Sequence, residues 1–236
     1  MKVAVDLHIH SALSPCADND MTPNNIVNMA LLKGLDIIAV TDHNSAQNFH
    51  AVSKCGTQNG ILVVAGMEVE TSEEVHLITL FPGLRQALLM QEMVHAALPD
   101  LENREDVFGQ QAVMDENDNI VCYCKRLLLT ATALSMEDVF YAVNNLNGVV
   151  IPAHIDRESY SVISNLGLIP EELDIRYLEV SKGCDAEEYR KKNSRLKDYS
   201  FIKSSDAHNL GDILERESFI ELEEISTECL ISALKR

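Results

Sequence analysis

Short apolar runs alternate with helical segments along most of the chain. Apolar and β-branched residues cluster at positions 3–5, 37–40, 61–64, 75–80, 149–151, 177–180, 201–202 and 219–222. The segments between them carry helix start signals, such as Thr22 before Pro23 and the sequence SMED that begins at Ser135. Strands and helices that alternate in this way predict parallel βαβ units, and therefore an α/β sheet or barrel.

One interval interrupts this alternation. Residues 84–134 are too many for a simple crossover between two strands, and the sequence MDENDN from Met114 to Asn119 is typical of a hairpin turn. We therefore predict that a helix followed by a hairpin is inserted at one rim of the fold. Because the chain has no repeat, low-complexity segment or linker, residues 1–236 are predicted to form a single domain.

The charge of the chain limits its partners. Among the 236 residues, 37 are acidic and 19 are basic, which gives a formal net charge of −18. Such a charge repels nucleic-acid backbones and anionic membranes, so a phosphorylated substrate requires a local source of positive charge. The start MKVAVDLHIH lacks the pattern of a secretory signal and no apolar run is long enough to span a membrane, which predicts a cytoplasmic protein without a membrane partner. The six cysteines show no CxxC pair and are predicted to be free thiols.

Most of the eight histidines fall at or just beyond the ends of predicted strands. These six are His8, His10, His43, His76, His154 and His208. Residues two apart on a strand point to the same side, so Asp6, His8 and His10 are predicted to project together, with Asp6 orienting one of the rings. Glu68 in GMEVE and Asp206 in SSDAH add carboxylates at similar positions. Because histidine and carboxylate ligands suit Zn²⁺, Mn²⁺ or Fe²⁺, the pattern predicts a metal site where the carboxyl ends of the strands meet.

The order of these motifs resembles that of a known family. DLHIHSALS, TDHN, GMEVE, EVHLI, PAHIDR and SSDAH follow one another as in the PHP (polymerase and histidinol phosphatase) superfamily, and the resemblance spans residues 6–208. It implies a distorted seven-stranded, TIM-like β/α barrel. It also implies a cluster of two or three divalent metal ions (Mn, Zn or Fe) and a phosphoesterase activity.

The resemblance further implies three metal subsites. The first comprises His8, His10, Glu68 and Asp206. The second shares Glu68 and is completed by His76 and His154. The third comprises His43, His208 and one ligand from the loop after His10.

The loop ligand of the third subsite is where the chain departs from the family pattern. Related phosphatases read roughly HSxxSDG, whereas Ser14 is followed here by Pro15, Cys16 and then ADND. Asp18 is the first choice for this ligand, Asp20 is the second, and Cys16 is the third.

Bound divalent ions would supply the positive charge that the acidic chain otherwise lacks, and would activate a hydroxide for attack on a phosphoester. The catalytic residues predicted with them are Asp206, His208 and Arg157. Arg157 either contacts the phosphate through its guanidinium group or pairs at the surface with Glu158 or another neighbour. Lys182, which follows a strand, is a weaker candidate for substrate contact. The basic residues Arg190, Lys191, Lys192, Arg195 and Lys197 are predicted to form a solvated helix face.

The leading functional hypothesis is a phosphomonoesterase that acts on a small phosphorylated metabolite or nucleotide. One alternative is a nuclease acting on the ends of short single-stranded oligonucleotides, the one nucleic-acid substrate that the charge leaves open. The others are an amidohydrolase-type C–N hydrolase and a non-catalytic metal-binding module. Specificity is expected to come from residues 84–134 and from the loops after Arg157 and Lys182, and no oligomeric state is predicted.

Overall fold

The computed structural model describes residues 1–236 and contains ten strands and eight α-helices. The strands are β1 (Lys2–Ile9), β2 (Ile37–Val40), β3 (Leu62–Glu70), β4 (His76–Phe81), β5 (Ala112–Met114), β6 (Ile120–Tyr123), β7 (Val149–Pro152), β8 (Tyr177–Ser181), β9 (Ser200–Ser204) and β10 (Phe219–Glu221). The helices are α1 (Pro23–Leu32), α2 (Phe49–Asn59), α3 (Leu84–Ala97), α4 (Glu105–Phe108), α5 (Met136–Asn145), α6 (Val162–Leu166), α7 (Ala186–Lys192) and α8 (Thr227–Leu234). None of these helices has both the length and the apolar character needed to cross a bilayer.

The predicted helix starts are confirmed. The side chain of Thr22 accepts a hydrogen bond from the backbone N–H of Asn25 at the start of α1. Ser135 and Asp138 form a reciprocal capping box at the start of α5.

A mixed sheet curls around the core. Its six strands lie in the order β10-β1-β2-β3-β4-β7, and β8 and β9 form a separate parallel pair. The backbone N–H of His10 donates to the carbonyl of Ala207 at 2.9 Å, which joins the segment after β9 to the end of β1. The predicted α/β class is therefore confirmed as a curled mixed sheet, or half-barrel, whose hydrogen-bonded ladders do not form one continuous seven-stranded ring.

The prediction of parallel βαβ units is wrong for β4, and β10 also runs antiparallel, against β1. Strands β1, β2 and β3 are parallel, but β4 runs antiparallel to both β3 and β7. Residues 71–75 alone separate β3 from β4, and a parallel connection needs about a dozen residues or more. The chain therefore reverses, and Glu70 pairs with His76. This reversal brings the first residue of β4 to the edge where β3 ends.

Both faces of the sheet are covered by apolar side chains. Along β1, Val3 and Val5 pack in a cluster that includes Leu230 of α8, whereas Ala4 belongs to a larger cluster that includes Ile26 of α1 and other helix residues. Burial on both faces is typical of sheets in α/β proteins. It holds the strands rigidly, so residues at their ends keep fixed positions.

Residues 84–134 contain the predicted helix and hairpin, formed by α3 and by β5 with β6. Two buried asparagines attach this insertion to the sheet. The amide of Asn48 donates to the carbonyl of Ala112 at 3.0 Å. The amide of Asn44 donates to the carbonyls of Leu128 and Thr130 at 2.8 and 3.0 Å. The end of the insertion is thereby held next to the carboxyl ends of β2 and β3.

Candidate metal centre

The carboxylate of Glu68, in β3, lies at the centre of a cluster of histidine rings. Ring nitrogens of five histidines lie within 3.4 Å of its two oxygens. These residues are His8, His10, His43, His76 and His154. The shortest separations are 2.8 Å from His76 Nδ1 to Oε1 and 3.0 Å from His43 Nδ1 to Oε2. Since Glu68 is only 1% exposed, this carboxylate is shared among the rings with almost no access to bulk water.

Asp206, which follows β9, completes the cluster from the C-terminal third of the chain. Its Oδ1 lies 3.1 Å from His10 Nε2 and 3.2 Å from His8 Nε2. Its Oδ2 forms an ion pair with Nη1 of Arg157 at 2.6 Å. His208 Nδ1 lies 2.9 Å from the carbonyl oxygen of Asp206 and therefore donates to it, which leaves Nε2 as the ligand atom of that ring.

Two residues of the cluster have strained backbones. Asp206 has φ of 51° and His154 has φ of 29°, in a region that residues other than glycine rarely adopt. Such strain persists only where the surrounding structure enforces it, and it concentrates at functional sites.

Several close atoms in the cluster do not pair with one another. Both oxygens of Glu68, His43 Nδ1, His76 Nε2 and His154 Nδ1 are buried without a hydrogen-bond partner. Ligand atoms about 2.1 Å from a shared cation lie about 3.0–3.4 Å from one another in octahedral or tetrahedral geometry. The separations of 2.8–3.4 Å around Glu68 match this spacing, so the residues fit divalent cations.

The ligand atoms form three overlapping sets, and within each set they lie within 4.8 Å of one another. The sets are His8, His10 and Glu68; His43, Glu68 and His76; and His10, His43 and His208. Nitrogen and carboxylate donors of this kind suit Zn²⁺, Mn²⁺ or Fe²⁺. Eight of the nine sequence-predicted ligands thus lie in one cluster, the exception being Asp18.

Asp18 lies outside the cluster. Its side chain is exposed and does not line the pocket, although its backbone N–H donates to the carbonyl of His208 at 2.8 Å. Asp20 is also exposed and lines no part of the pocket. Cys16 does line the pocket, as do the rings of His43 and His208. Burial raises the pKa of Cys16, but the two rings lower it more, to about 7.

Glu179, a buried carboxylate in β8, orients His8 through the ring nitrogen that faces away from the cluster. It lies 2.9 Å from His8 Nδ1 and accepts from the backbone N–H of His154 at 3.1 Å. Because the carboxylate can only accept, His8 carries its proton on Nδ1 and turns the lone pair of Nε2 towards the cluster.

The sequence prediction gave this role to Asp6 and was wrong. Asp6 instead accepts from the backbone N–H groups of Ser205 and Leu214, both at 3.0 Å, and so fixes the segments on either side of Asp206.

A second buried carboxylate, Asp42, orients His10 through a serine. The hydroxyl of Ser14 donates to Asp42 at 2.7 Å, and its oxygen lies 2.9 Å from His10 Nδ1. Since the serine has only one proton to give, it accepts from His10 Nδ1 and leaves Nε2 free to bind a cation.

The electrostatics of the cluster favour positive charge. Burial alone would raise the pKa of Glu68, but the charges of His76, His8 and His43 hold it well below its ordinary value. Burial lowers the pKa of His8, but the carboxylates of Glu179, Asp206 and Glu68 raise it well above the ordinary histidine value. The buried carboxylates therefore stabilise cationic charge at their centre, whether protons or metal ions carry it.

The cluster forms the floor of an open pocket of about 530 Å³. Its lining includes Leu129, Thr130 and Ala131 from the insertion, and Arg157 and Tyr160 from the loop after β7. Arg157 is the only lysine or arginine that lines the pocket.

The other basic residues considered as candidates lie away from the pocket. Lys182 donates to the carbonyl of Asp212 at 3.0 Å and is not part of the lining. The predicted solvated face is confirmed for Lys191 and Lys192 at the end of α7, whereas Arg190 is half-buried and donates to the carbonyl of Tyr199 at 2.9 Å. Arg195 belongs to the 3₁₀ turn Ser194–Leu196.

All six cysteines are free thiols, as predicted.

Comparisons with known proteins agree with this arrangement. The PHP domain family matches residues 6–147. The fold resembles the lesion-specific endonuclease Q of Pyrococcus furiosus, with a TM-score of 0.72, 21% identity and coverage of 100% of this chain but 56% of that one. It also resembles a provisionally assigned metal-dependent phosphoesterase of Bifidobacterium adolescentis, with a TM-score of 0.64, 18% identity and coverage of 98% and 95% of the two chains.

Among curated relatives, a phosphoribosyl 1,2-cyclic phosphate 1,2-diphosphodiesterase of Eggerthella lenta is 31% identical over 80 residues, which cover 32% of this chain and 29% of that protein. The chain matches between 12% and 44% of the length of its curated relatives. The family match, however, covers more than half of the chain and includes the motifs around His8, His43 and Glu68. The chain belongs to the PHP domain family of metal-dependent hydrolases.

Proposed function

We propose that this chain is a metal-dependent phosphoesterase that removes a phosphate from a small molecule of about nucleotide size. The observation that carries the proposal is the convergence of five histidine rings on the carboxylate of Glu68, with Asp206 and Arg157 at the edge of the same cluster. When bound there, divalent ions supply Lewis acidity and lower the pKa of water.

Arg157 is the residue that we assign to the phosphate. Its Nη1 is held by Asp206 at 2.6 Å, and its side chain is 44% exposed in the pocket. A guanidinium group has five N–H donors in a fixed plane, so the anchored group retains donors for phosphate oxygens. Asp206 thus has two roles in the proposal, since one oxygen faces His8 and His10 while the other positions Arg157.

The size and charge of the pocket favour a small substrate. A volume of about 530 Å³ lies within the range of about 300–1,000 Å³ that is usual for small-molecule sites. The side chains of Glu70 and Glu74 also line the pocket and would repel further phosphates of a long polyanion. The ring of Tyr160 stacks on His76 with centroids 4.7 Å apart and is 45% exposed, which suits a flat leaving group such as a nucleoside.

A nuclease acting on the end of a short single strand is the second candidate. It is favoured by the similarity of the whole chain to endonuclease Q, at a TM-score of 0.72. The two functions share the same reaction at phosphorus. They differ in whether the substrate continues past the pocket rim formed by residues 129–131.

A substrate panel tests the proposal. Protein reconstituted with Mn²⁺, Zn²⁺ or Fe²⁺ is assayed with p-nitrophenyl phosphate, nucleoside monophosphates, 5′-phosphorylated oligonucleotides and a cyclic amide. We expect turnover of the small monoesters, loss of that turnover in Asp206→Asn, and an increased KM in Arg157→Ala. The exposed residue Arg195 provides the matched control, because Arg195→Ala should leave KM unchanged.

Two outcomes contradict the proposal. Turnover of oligonucleotides without turnover of monoesters would replace it with the nuclease. Turnover of the cyclic amide alone would show that the same cluster serves C–N hydrolysis.

A further inference from the structure

A chain of buried side chains connects the metal ligand His10 with the hairpin of the insertion. It begins where His10 Nδ1 donates to the hydroxyl of Ser14, which itself donates to Asp42. The other oxygen of Asp42 accepts from the hydroxyl of Ser11 at 2.6 Å, and the Ser11 oxygen accepts from the amide of Asn48 at 2.9 Å. All five residues are at most 1% exposed, so bulk water does not compete for these hydrogen bonds.

Asn48 joins this chain to strand β5. Besides its bond to Ser11, its Nδ2 donates to the carbonyl of Ala112 at 3.0 Å, and its Oδ1 accepts from the backbone N–H of Met114 at 2.9 Å. Both amide protons and the amide oxygen are therefore in use. One side chain thus holds two residues of the hairpin and one residue of the loop after β1.

The position of Asn48 in the chain offers its side chain another role, which it does not take. Asn48 directly precedes α2, where an asparagine commonly accepts from a backbone N–H of the first helical turn. The side chain makes no such bond. Its hydrogen-bonding capacity is used to connect distant segments rather than to start the helix.

The donors along the chain have fixed directions. Because the carboxylate of Asp42 can only accept, Ser11 and Ser14 both direct their hydroxyl protons at it. Each hydroxyl oxygen can then only accept on its other side, from Asn48 and from His10, respectively. A buried network whose members are all satisfied is rigid and specifies one arrangement. The position of the hairpin therefore influences the orientation of the His10 ring.

We propose that Asn48 is a positioning residue that couples the β5–β6 hairpin to the metal ligand His10. The proposal rests on the metal centre of the proposed function, in which His10 Nε2 faces Glu68 and Asp206. Such coupling is reciprocal, so metal binding stabilises the attachment of the hairpin by the same free energy by which the attached hairpin strengthens metal binding. Since residues 129–131 of the same insertion line the pocket, a substrate that displaces the insertion should also change the metal affinity.

Hydrogen exchange at the Met114 amide tests this coupling without a measurement of turnover. The amide N–H of Met114 donates to Asn48 and so reports directly on the attachment of β5. Its exchange rate is measured in metal-free protein and after addition of Zn²⁺. The amide of Leu230 in α8, which donates to the carbonyl of Ser226, corrects for stabilisation of the whole fold. We expect Zn²⁺ to slow exchange about tenfold more at Met114 than at Leu230.

Two variants interrupt the chain at different bonds. Asn48→Asp has nearly the same shape and keeps an acceptor for Met114, but it cannot donate to Ser11 or Ala112. Ser11→Ala leaves both contacts of Asn48 with β5 in place and removes the link to Asp42. In both variants we expect the additional slowing at Met114 to be lost. The affinity for the first ion, measured by competition with a chelator, should fall about tenfold, at the lower end of the range for outer partners of metal ligands.

Asn24→Ala is the matched control, because Asn24 also attaches the hairpin but has no contact with this chain. Its Nδ2 donates to the carbonyl of Glu116 at the tip of the hairpin, at 2.9 Å. The variant should keep both the metal affinity and the additional slowing at Met114.

Four outcomes would overturn the proposal. They are the absence of additional slowing at Met114 in the wild-type protein, its persistence in Ser11→Ala, a metal affinity of Ser11→Ala within about twofold of the wild-type value, and an equal loss of affinity in Asn24→Ala. Ser11→Ala decides the question even where Asn48→Asp does not fold. A protein that shows the coupling but cleaves no phosphoester would overturn the proposed function and leave the coupling standing.

Discussion

Replacing Glu179 with glutamine tests whether residues that hydrogen-bond to the metal ligands set the metal affinity of the centre. Glu179 is 2% exposed and touches two ligand residues, through His8 Nδ1 and the backbone N–H of His154. Glutamine has nearly the same shape, so the variant should fold normally. The substitution removes the negative charge that makes Nε2 of His8 a stronger base.

The contacts of both carboxylate oxygens set the size of the effect. Oε1 lies 2.9 Å from His8 Nδ1 and can be replaced by the amide oxygen, but Oε2 lies 3.2 Å from the same nitrogen and would become an N–H₂ group facing an N–H group. Loss of such a partner costs about 10–100-fold in metal affinity. We expect a decrease of about 30-fold for the first ion, which corresponds to about 2 kcal/mol at about 1.4 kcal/mol per tenfold change.

The assay is a competition titration against a chromophoric chelator, with thermal unfolding of the metal-free protein measured in parallel. Glu187→Gln, at an exposed position of α7, is the matched control and should bind metal as the wild-type protein does. A Glu179→Gln affinity within about twofold of the wild-type value would refute the reasoning, since Glu179 would then have a packing role without influence on the ligands.

Three further predictions follow from the site. Glu68→Gln should lose at least two ions by elemental analysis, because Glu68 faces five rings; an unchanged metal count would contradict its bridging position. Tyr160→Leu should raise KM for nucleoside monophosphates but not for inorganic pyrophosphate, which lacks a flat leaving group; equal effects on both would contradict stacking. Burial lowers the pKa of His8 and of His76, but nearby carboxylates raise both pKa values more, chiefly Glu179 for His8 and Glu68 for His76. Protonation of these two histidines therefore stabilises the metal-free fold. This contribution is complete below about pH 6.5 and is lost as the pH rises through the elevated pKa values. Metal binding should therefore raise Tm more at about pH 8 than at about pH 6, and calorimetry showing the reverse would contradict this assignment.

The location of the centre could be predicted from the sequence because strand ends converge. His8 and His10 lie at the end of the run that forms β1, and His43 lies just after the run that forms β2. The carboxyl ends of parallel strands meet at one edge of the sheet. Glu68 lies within a run of the same kind. A charged residue in a buried strand requires a partner of opposite charge, and here the histidines provide it.

The features that the sequence missed depend on contacts between distant segments. The direction of β4 follows from the short connection after β3, and it changes how His76 reaches the site without removing it from the site. Glu179 also stands alone among the apolar residues of β8, a signal that a buried charge needs a partner, but its pairing with His8 spans 171 positions of the chain.

The loop after β1 is the clearest case of this kind. The sequence favours Asp18 because its residue type matches the family pattern, but its exposed side chain does not line the pocket. The placement of Cys16 in the pocket instead depends on Gly109 against Pro15 and on the bond from Asp18 N–H to His208. Neither contact is visible in local sequence, since residue type alone does not fix the path of a loop.

Anomalous diffraction from crystals of the metal-reconstituted protein tests the central claim most directly. The account predicts at least two anomalous peaks, each about 2.0–2.2 Å from a carboxylate oxygen of Glu68 and within bonding distance of the surrounding histidine nitrogens. A single peak remote from Glu68, or occupied metal positions that do not share this carboxylate, would contradict it.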